Sequence, residues 1–212
     1  MTAMWFQFAS AFVTLFVVVD PVGIAVIAGG MTQGLSTEAR RSIAWRGSLI
    51  ATILLIAFAF GGEALLEALG ITLPALRIAG GILLFLLSID MVFARPSGIR
   101  TPTAPEQAEA SQRQDIAVFP LAFPLLAGPG AMTSIVLLVA RAGTPSGVAL
   151  VIGALLVVLA MAYVALRYAE RVTRLLGVTG ANVVGRLFGV ILAALAVQFV
   201  LDGLAQGLPR LG

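Results

Sequence analysis

Two short motifs interrupt apolar stretches that are long enough to cross a membrane. The first is Asp20-Pro21-Val22-Gly23, and the second, 108 residues further along, is Gly128-Pro129-Gly130. Proline removes a backbone N–H donor, and glycine lets the backbone leave helical geometry. In a bilayer, the polar groups released in this way must be buried in protein or line a wet cavity. Two breaks at matching positions of two halves therefore predict the binding site of a transporter near the membrane midplane.

The first motif carries a carboxylate, Asp20, and no other charged residue occurs between Met1 and Thr37. A carboxylate at the centre of a span costs about 2.5–3.5 kcal/mol on insertion scales, so it normally faces a cavity or a partner. Asp20 could hold Na⁺ together with released backbone carbonyls, or carry a proton. Asp before Pro is also a good helix start, so the plainer interpretation is a cap for a helix beginning at Pro21. The two roles are compatible.

The second motif lies in a segment, Pro120 to Ser134, that contains three prolines and two glycines. A helix starting near Pro129 would direct its N–H groups at the midplane, which favours an anionic group. An ammonium near Asp20 and a carboxylate near the second motif together suit a zwitterion. The alternative is a kinked packing helix whose Ser and Thr side chains satisfy its own backbone. The predicted substrate- or ion-binding residues are Asp20, Pro21, Gly23, Pro124, Gly128, Pro129, Gly130, Thr133 and Ser134.

The composition indicates an integral membrane protein. Hydrophobic residues make up 60% of the chain, charged residues only 11%, and the mean hydropathy is +1.07, whereas soluble domains carry about 25% charged residues. The 212 residues hold about six spans of roughly 20 residues each. We predict these spans at Trp5–Gly30, Ile43–Ala68, Ala75–Phe93, Ile116–Val139, Ser146–Tyr168 and Val184–Gly203.

The arginines predict the orientation of these spans. Alternating directions place ten arginines on one side of the membrane and three, Arg77, Arg141 and Arg210, on the other. By the positive-inside rule the ten-arginine side is cytoplasmic. Both termini are then external, and the expected location is the inner membrane of a bacterium or the cell membrane of an archaeon.

The two halves resemble each other beyond the breaks. Leu69-Gly70-Ile71-Thr72 matches Leu176-Gly177-Val178-Thr179, and an Arg-x-x-Gly motif follows each, at Arg77 and Arg186. With three spans per half, the second half must be inverted. We predict an all-α membrane protein with two inverted three-helix repeats, 1–94 and 115–212, a cytoplasmic linker 95–114, and helices 1 and 4 broken near the midplane. Arg77 and Arg186 are either interfacial anchors or residues that gate the path or contact headgroups.

Several functional classes are excluded. The chain has neither cysteine nor histidine, which removes disulfides, thiolate metal sites and Ser-His or Cys-His nucleophiles. Because no phosphate-binding or catalytic motif is present either, we expect no enzyme, no cofactor and no metal apart from Na⁺ near Asp20. No basic run interleaves with aromatics, so nucleic acid is not expected as a partner. The expected partners are the bilayer and a small solute, and the Gly185-x-x-x-Gly189 pair is compatible with a homo-oligomer.

Four stretches resemble the MarC family of bacterial and archaeal inner-membrane proteins. They are Leu15 to Gly23, Arg77 to Phe85, Ile89-Asp90-Met91 and Pro120 to Ala131. One departure is Val26, where many relatives carry a second proline. The resemblance covers nearly the whole chain and implies a fold related to LysE-type exporters. It also implies membrane transport of a small metabolite, with amino acids as the leading class.

Three functions follow as hypotheses. The first is a secondary transporter or exporter of a small neutral amino acid, coupled to Na⁺ or H⁺ through Asp20. The second is a flippase for a lipid phosphate, with Arg77 and Arg186 as headgroup contacts. The third is a membrane interaction protein that transports nothing.

Overall fold

The computed structural model describes residues 2–93 and 116–208, and the regular elements in these two ranges are all helical. The predicted linker 95–114 lies outside the described residues, as does Arg210. The elements are α1 (Thr2–Val19), α2 (Pro21–Met31), α3 (Thr37–Ala68), α4 (Leu73–Phe93), the π-helical segment π1 (Ala117–Leu126), α5 (Pro129–Ala142), α6 (Pro145–Arg167) and α7 (Ala169–Gly207).

Five stretches are long and apolar enough to cross a membrane. They are Met4–Met31, Thr37–Ala68, Leu73–Phe93, Pro145–Arg167 and Thr179–Gly207. The pair π1 and α5 is bent by 54° and makes a sixth span if it is counted as one. The predicted all-helical membrane protein is thus confirmed, with five or six spans where six are predicted.

Two helices begin well before the predicted spans. Helix α3 starts at Thr37 rather than Ile43 because the Ser36 hydroxyl caps it, accepting a hydrogen bond from Ala39 N at 3.2 Å. Helix α7 starts at Ala169 rather than Val184, and its backbone leaves helical geometry at Gly177 (φ 62°, ψ −179°). A positive φ is a conformation that glycine adopts at little cost. Both additional segments, 37–42 and 169–183, contain charged and polar residues, so a hydropathy pattern excludes them from a span.

The two halves of the chain share one core. The most extensive packing joins α4 to α7, α1 to α6, α2 to both α6 and α7, and α3 to π1 and α5, so each of these contacts links residues 2–93 with residues 116–208. Close approach at glycines permits part of this packing. A Cβ on Gly81 would lie 2.7 Å from Ala196 O, and a Cβ on Gly189 would lie 2.9 Å from Met91 Cβ.

The first span is more buried than the other four continuous spans. In Met4–Met31, 56% of the residues of its apolar window are buried, against 22% to 33% in the other four spans. Those outer helices expose large apolar side chains such as Trp45, Phe60, Leu187 and Leu201. An exposed apolar surface of this extent suits contact with lipid. The first break therefore lies in a span that is largely shielded from the bilayer.

Candidate substrate site at the two helix breaks

At the first break a single residue separates two helices. Asp20 follows α1 and precedes α2, with left-handed backbone angles (φ 49°, ψ 71°) that Asp tolerates better than most residues. Its Oδ1 accepts a hydrogen bond from Gly23 N at 3.0 Å. The predicted cap is therefore confirmed. The side chain is only 2% exposed, so a carboxylate is held inside a largely buried span.

The neighbouring residues fit this cap closely. Pro21 occupies the first helical position, where its missing N–H costs nothing, and it is buried. Gly23 is required at its position, since a Cβ there would lie 2.0 Å from Asp20 Oδ2. The motif Asp20-Pro21-Val22-Gly23 is thus a tightly packed helix start around a charged group.

The second break is longer and irregular. Phe119 and Phe123 have extended backbone angles inside π1, and each precedes a proline through a cis peptide bond. Gly128 then begins α5 with extended angles and offers no side-chain cap. The first hydrogen bond of α5 runs from Met132 N to Gly128 O at 3.0 Å. The N–H groups of Gly130 and Ala131 precede that bond, so the helix itself does not use them.

A small cavity of about 40 Å³ lies between the second break and α4. Four predicted site residues line it: Pro124, Gly128, Pro129 and Gly130. Val18 also lines it, two residues before Asp20, and its Cγ1 lies 3.6 Å from the place of a Cβ on Gly130. The two breaks thus approach each other through Val18, but Asp20, Thr133 and Ser134 are not among the lining residues.

Thr133 and Ser134 are both buried in the first turns of α5. A Cβ on Gly80 would lie 2.0 Å from Thr133 Cγ2, so α4 and α5 touch at this level. Ser134 is fully buried, and its hydroxyl has no hydrogen-bond partner within the described ranges. A buried hydroxyl without a partner is costly, which makes Ser134 Oγ a candidate contact for a polar solute.

The two matched arginines differ in their surroundings. Arg77 is 7% exposed, and its Nη1 finds no partner in the part of the chain that the structure describes. Arg186 is exposed. The same Arg-x-x-Gly pattern therefore produces a buried cation in one half and a surface cation in the other.

A polar cluster near Arg77 joins side chains whose pairing is not among the sequence predictions. Arg141 Nη2 donates to Asp202 Oδ2 at 3.2 Å, and Gln198 Nε2 donates to Asp202 Oδ1 at 2.6 Å. Gln198 and Asp202 are four residues apart in an apolar helix, a spacing that places them on one face. That spacing alone is sufficient to predict the pairing of Gln198 with Asp202. The hydrogen bond from Arg141 of α5 to Asp202 of α7 depends instead on tertiary packing.

A multidentate metal site has no support in these residues. Within 2–93 and 116–208, no group of three or more His, Cys, Asp or Glu side chains lies close enough to hold an ion. Sodium near Asp20 stays a prediction, and its other ligands would have to be backbone carbonyls or hydroxyls.

Residues 5–208 match the family model described as MarC family integral membrane protein. The chain belongs to this family. It is 40% identical over 208 residues to a UPF0056 membrane protein of Archaeoglobus fulgidus, covering 95% of this chain and 93% of the relative. It is 36% identical to a UPF0056 membrane protein of Aquifex aeolicus over 197 residues, with 93% and 92% covered.

Another MarC family relative is the UPF0056 inner membrane protein YhgN of Escherichia coli. The identity is 33% over 198 residues, which cover 93% of this chain and 96% of the relative. The family thus spans bacteria and archaea, and these relatives match the chain over more than nine tenths of their length. No solved structure matches the chain.

Proposed function

We propose that this MarC family protein is a secondary transporter or exporter of a small neutral amino acid. The observation that carries the proposal is the carboxylate of Asp20, 2% exposed at a break in a largely buried span. A charged group in such a place is expensive, and membrane proteins retain it mainly on substrate or ion pathways.

The two breaks offer complementary chemistry for a zwitterion. Asp20 supplies a negative charge beside an ammonium group. The N–H groups of Gly130 and Ala131, at the positive end of α5, supply donors to a carboxylate. The fully buried Ser134 hydroxyl adds a further polar contact. A symmetric pair of breaks would favour one sign of charge, whereas this unequal pair favours a solute that carries both.

The size of the cavity agrees with a very small solute. A cavity of about 40 Å³ has room for water but not for an amino acid, so even the smallest amino acid requires the cavity to expand. Glycine and alanine are the amino acids that require the smallest expansion. We therefore interpret this conformation as closed, and transport requires the second break to move away from α4.

We further infer that the halves are two inverted repeats. In such a repeat the first span corresponds to π1 and α5, α3 corresponds to α6, and α4 corresponds to α7. The packing of the first span on α6 then corresponds to the packing of α3 on π1 and α5, and both contacts are extensive. The contact between α4 and α7 joins two corresponding helices, so exchanging the halves leaves it unchanged. Such an exchange supports alternating access by rocking one repeat against the other.

The same proposal includes orientation and energy coupling. The arginine asymmetry supports external termini and a cytoplasmic 95–114 linker. The Escherichia coli relative is named an inner membrane protein, which supports an inner-membrane location. We assign coupling to Na⁺ or H⁺ at Asp20, with no catalytic step and no cofactor.

The lipid-phosphate flippase is less well supported. It requires both Arg77 and Arg186 to reach headgroups, but Arg77 is buried and only Arg186 is exposed. A membrane interaction protein without transport makes no use of a carboxylate enclosed in the core.

The test is uptake of labelled glycine and alanine by proteoliposomes with and without Na⁺ and proton gradients. We expect gradient-dependent uptake by the wild type, loss in both Asp20→Asn and Asp20→Ala, and no change in the control Glu67→Gln, which alters an exposed carboxylate. The Asn variant retains an oxygen that can cap α2, so it separates charge from capping. Uptake by Asp20→Asn equal to that of the wild type would remove the role assigned to the charge. Absence of uptake by the wild type under every gradient would contradict amino-acid transport.

A further inference from the structure

A second cavity, of about 220 Å³, lies far from the breaks in sequence, where α3 begins and α6 passes into α7. One candidate span begins at Thr37 and another ends at Arg167, and both residues line the cavity. The cavity therefore opens where the apolar spans give way to water. We call it the arginine pocket, after the charged residues that line it: Arg40, Arg41, Arg167, Glu170 and Arg171.

The arginine pocket has a strong excess of positive charge. Four arginines against one glutamate leave a net charge of three. The glutamate is already engaged, because Glu170 accepts a hydrogen bond from Arg40 and another from Arg174 Nη2, the latter at 3.0 Å. It therefore does not neutralise the other arginines of the pocket.

Two of the four arginines, Arg41 and Arg171, keep N–H donors for an external anion. Arg167 Nη1 donates to the Tyr163 hydroxyl at 3.2 Å, and the Arg171 guanidinium lies 5.2 Å from the centre of the Tyr168 ring. Stacking on a ring holds a guanidinium in place but leaves its N–H edge available. In the described portions of the chain, neither Arg41 nor Arg171 forms an ion pair.

We propose that the arginine pocket binds an anionic phosphate group, carried either by a membrane lipid with net negative charge or by a small soluble phosphate. A planar guanidinium matches two phosphate oxygens at once, and several around one cavity hold the group from different sides. The first turn of α3 faces the same cavity and adds the positive end of a helix. This site is separate from the breaks and does not depend on the proposed transport function.

Trp45 provides a reporter for the test. Its ring lies 5.9 Å from that of Tyr163, whose hydroxyl accepts the hydrogen bond from Arg167. The chain has two tryptophans, so Trp5→Phe leaves Trp45 as the single indole. In this background we would titrate detergent-solubilised protein with inorganic phosphate, and compare nanodiscs of phosphatidylcholine with and without phosphatidylglycerol.

We expect a saturable change in Trp45 emission in at least one arm. A response to inorganic phosphate supports the pocket with a soluble ligand, and a response confined to phosphatidylglycerol supports it with a lipid. Arg41→Gln and Arg171→Gln should each weaken binding by about tenfold, the usual effect of losing a charge-assisted hydrogen bond. The matched control is Arg46→Gln, which removes an exposed arginine of α3 that does not line the pocket.

The proposal fails if neither arm responds, if the two pocket variants bind as tightly as the wild type, or if Arg46→Gln weakens binding as much as they do. The last result would indicate diffuse surface charge. Thermal unfolding checks that each variant is folded. Should either Gln variant fail to fold, the corresponding Lys variants keep the charge but lose the two-point geometry, and they should bind more weakly than the wild type.

Discussion

At the first break a side chain caps the helix that follows, whereas at the second break no side chain caps α5. At the first, Asp20 satisfies the N–H of Gly23 and Met4–Met31 still counts as one continuous span. At the second, π1 and α5 meet at 54°, Gly128 has no side chain with which to cap α5, and a cavity remains against α4.

The difference suggests a division of labour between the two breaks. A capped, tightly packed helix start is suited to holding a charge in a fixed place. An irregular segment with a cavity beside it is suited to changing shape. We therefore expect the first break to be sensitive to chemistry and the second to packing.

The largest effect should come from Leu84, which supports the second break from α4. Leu84 is fully buried, and its Cδ2 lies 2.5 Å from the place of a Cβ on Gly130. Leu84→Ala should cost about 2–5 kcal/mol of stability, because it removes buried methyl groups and enlarges a cavity. The control is Leu86→Ala on the same helix, at a residue 42% exposed, and thermal unfolding in detergent compares them. Equal losses in both variants would show that α4 does not hold the second break specifically.

A smaller effect is expected at Gly23, which belongs to the first break. A Cβ there would displace the Asp20 carboxylate from its cap, so Gly23→Ala should cost about 1–3 kcal/mol through crowding and loss of the cap. Gly30→Ala is the matched control in the same helix, since nothing lies within 4 Å of its new methyl group. Alanine is the better helix former, so that control should be neutral or slightly stabilising. If Gly23→Ala behaves like Gly30→Ala, the first break is less tightly packed than the second.

The smallest effect should appear outside both breaks, at Glu170. The hydrogen bond from Arg40 lowers the pKa of this carboxyl below its ordinary value, with a further contribution from Arg174. A lowered pKa contributes stability above the unfolded value of about 4.3, and this contribution disappears as pH falls through the folded pKa. The melting temperatures of wild type and Glu170→Gln should therefore differ slightly at neutral pH and converge in acid. Because the Glu170 side chain is exposed to solvent, a difference as large as that of Leu84→Ala would contradict the assignment.

Local chemistry explains which parts of the molecule were predictable. Composition and hydropathy suffice for the helices, and Asp20-Pro21 suffices for a capped helix start, because both depend on residues close in sequence. The beginning of α3 was missed because its first turns are polar and a cap at Ser36, rather than hydropathy, determines where they start. The bend at Gly177 lies in a segment that the hydropathy pattern assigns to a loop.

The arginines show where such reasoning ends. Arg77 and Arg186 occur in the same motif, and nothing in their neighbouring residues distinguishes them. Their burial is set by the helices that pack over them, which are distant in sequence. The small size of the cavity at Pro124 and Gly128 depends on tertiary packing in the same way.

The interlocking of the two halves has a consequence for biogenesis. Ribosomes deliver residues 2–93 to the membrane before residues 116–208, yet the most extensive contacts of the early helices are with the late ones. The nascent first span must therefore carry Asp20 in the bilayer before α6 and α7 arrive to enclose it. Insertion therefore precedes folding, and the carboxylate destabilises the inserted nascent chain until synthesis is nearly complete.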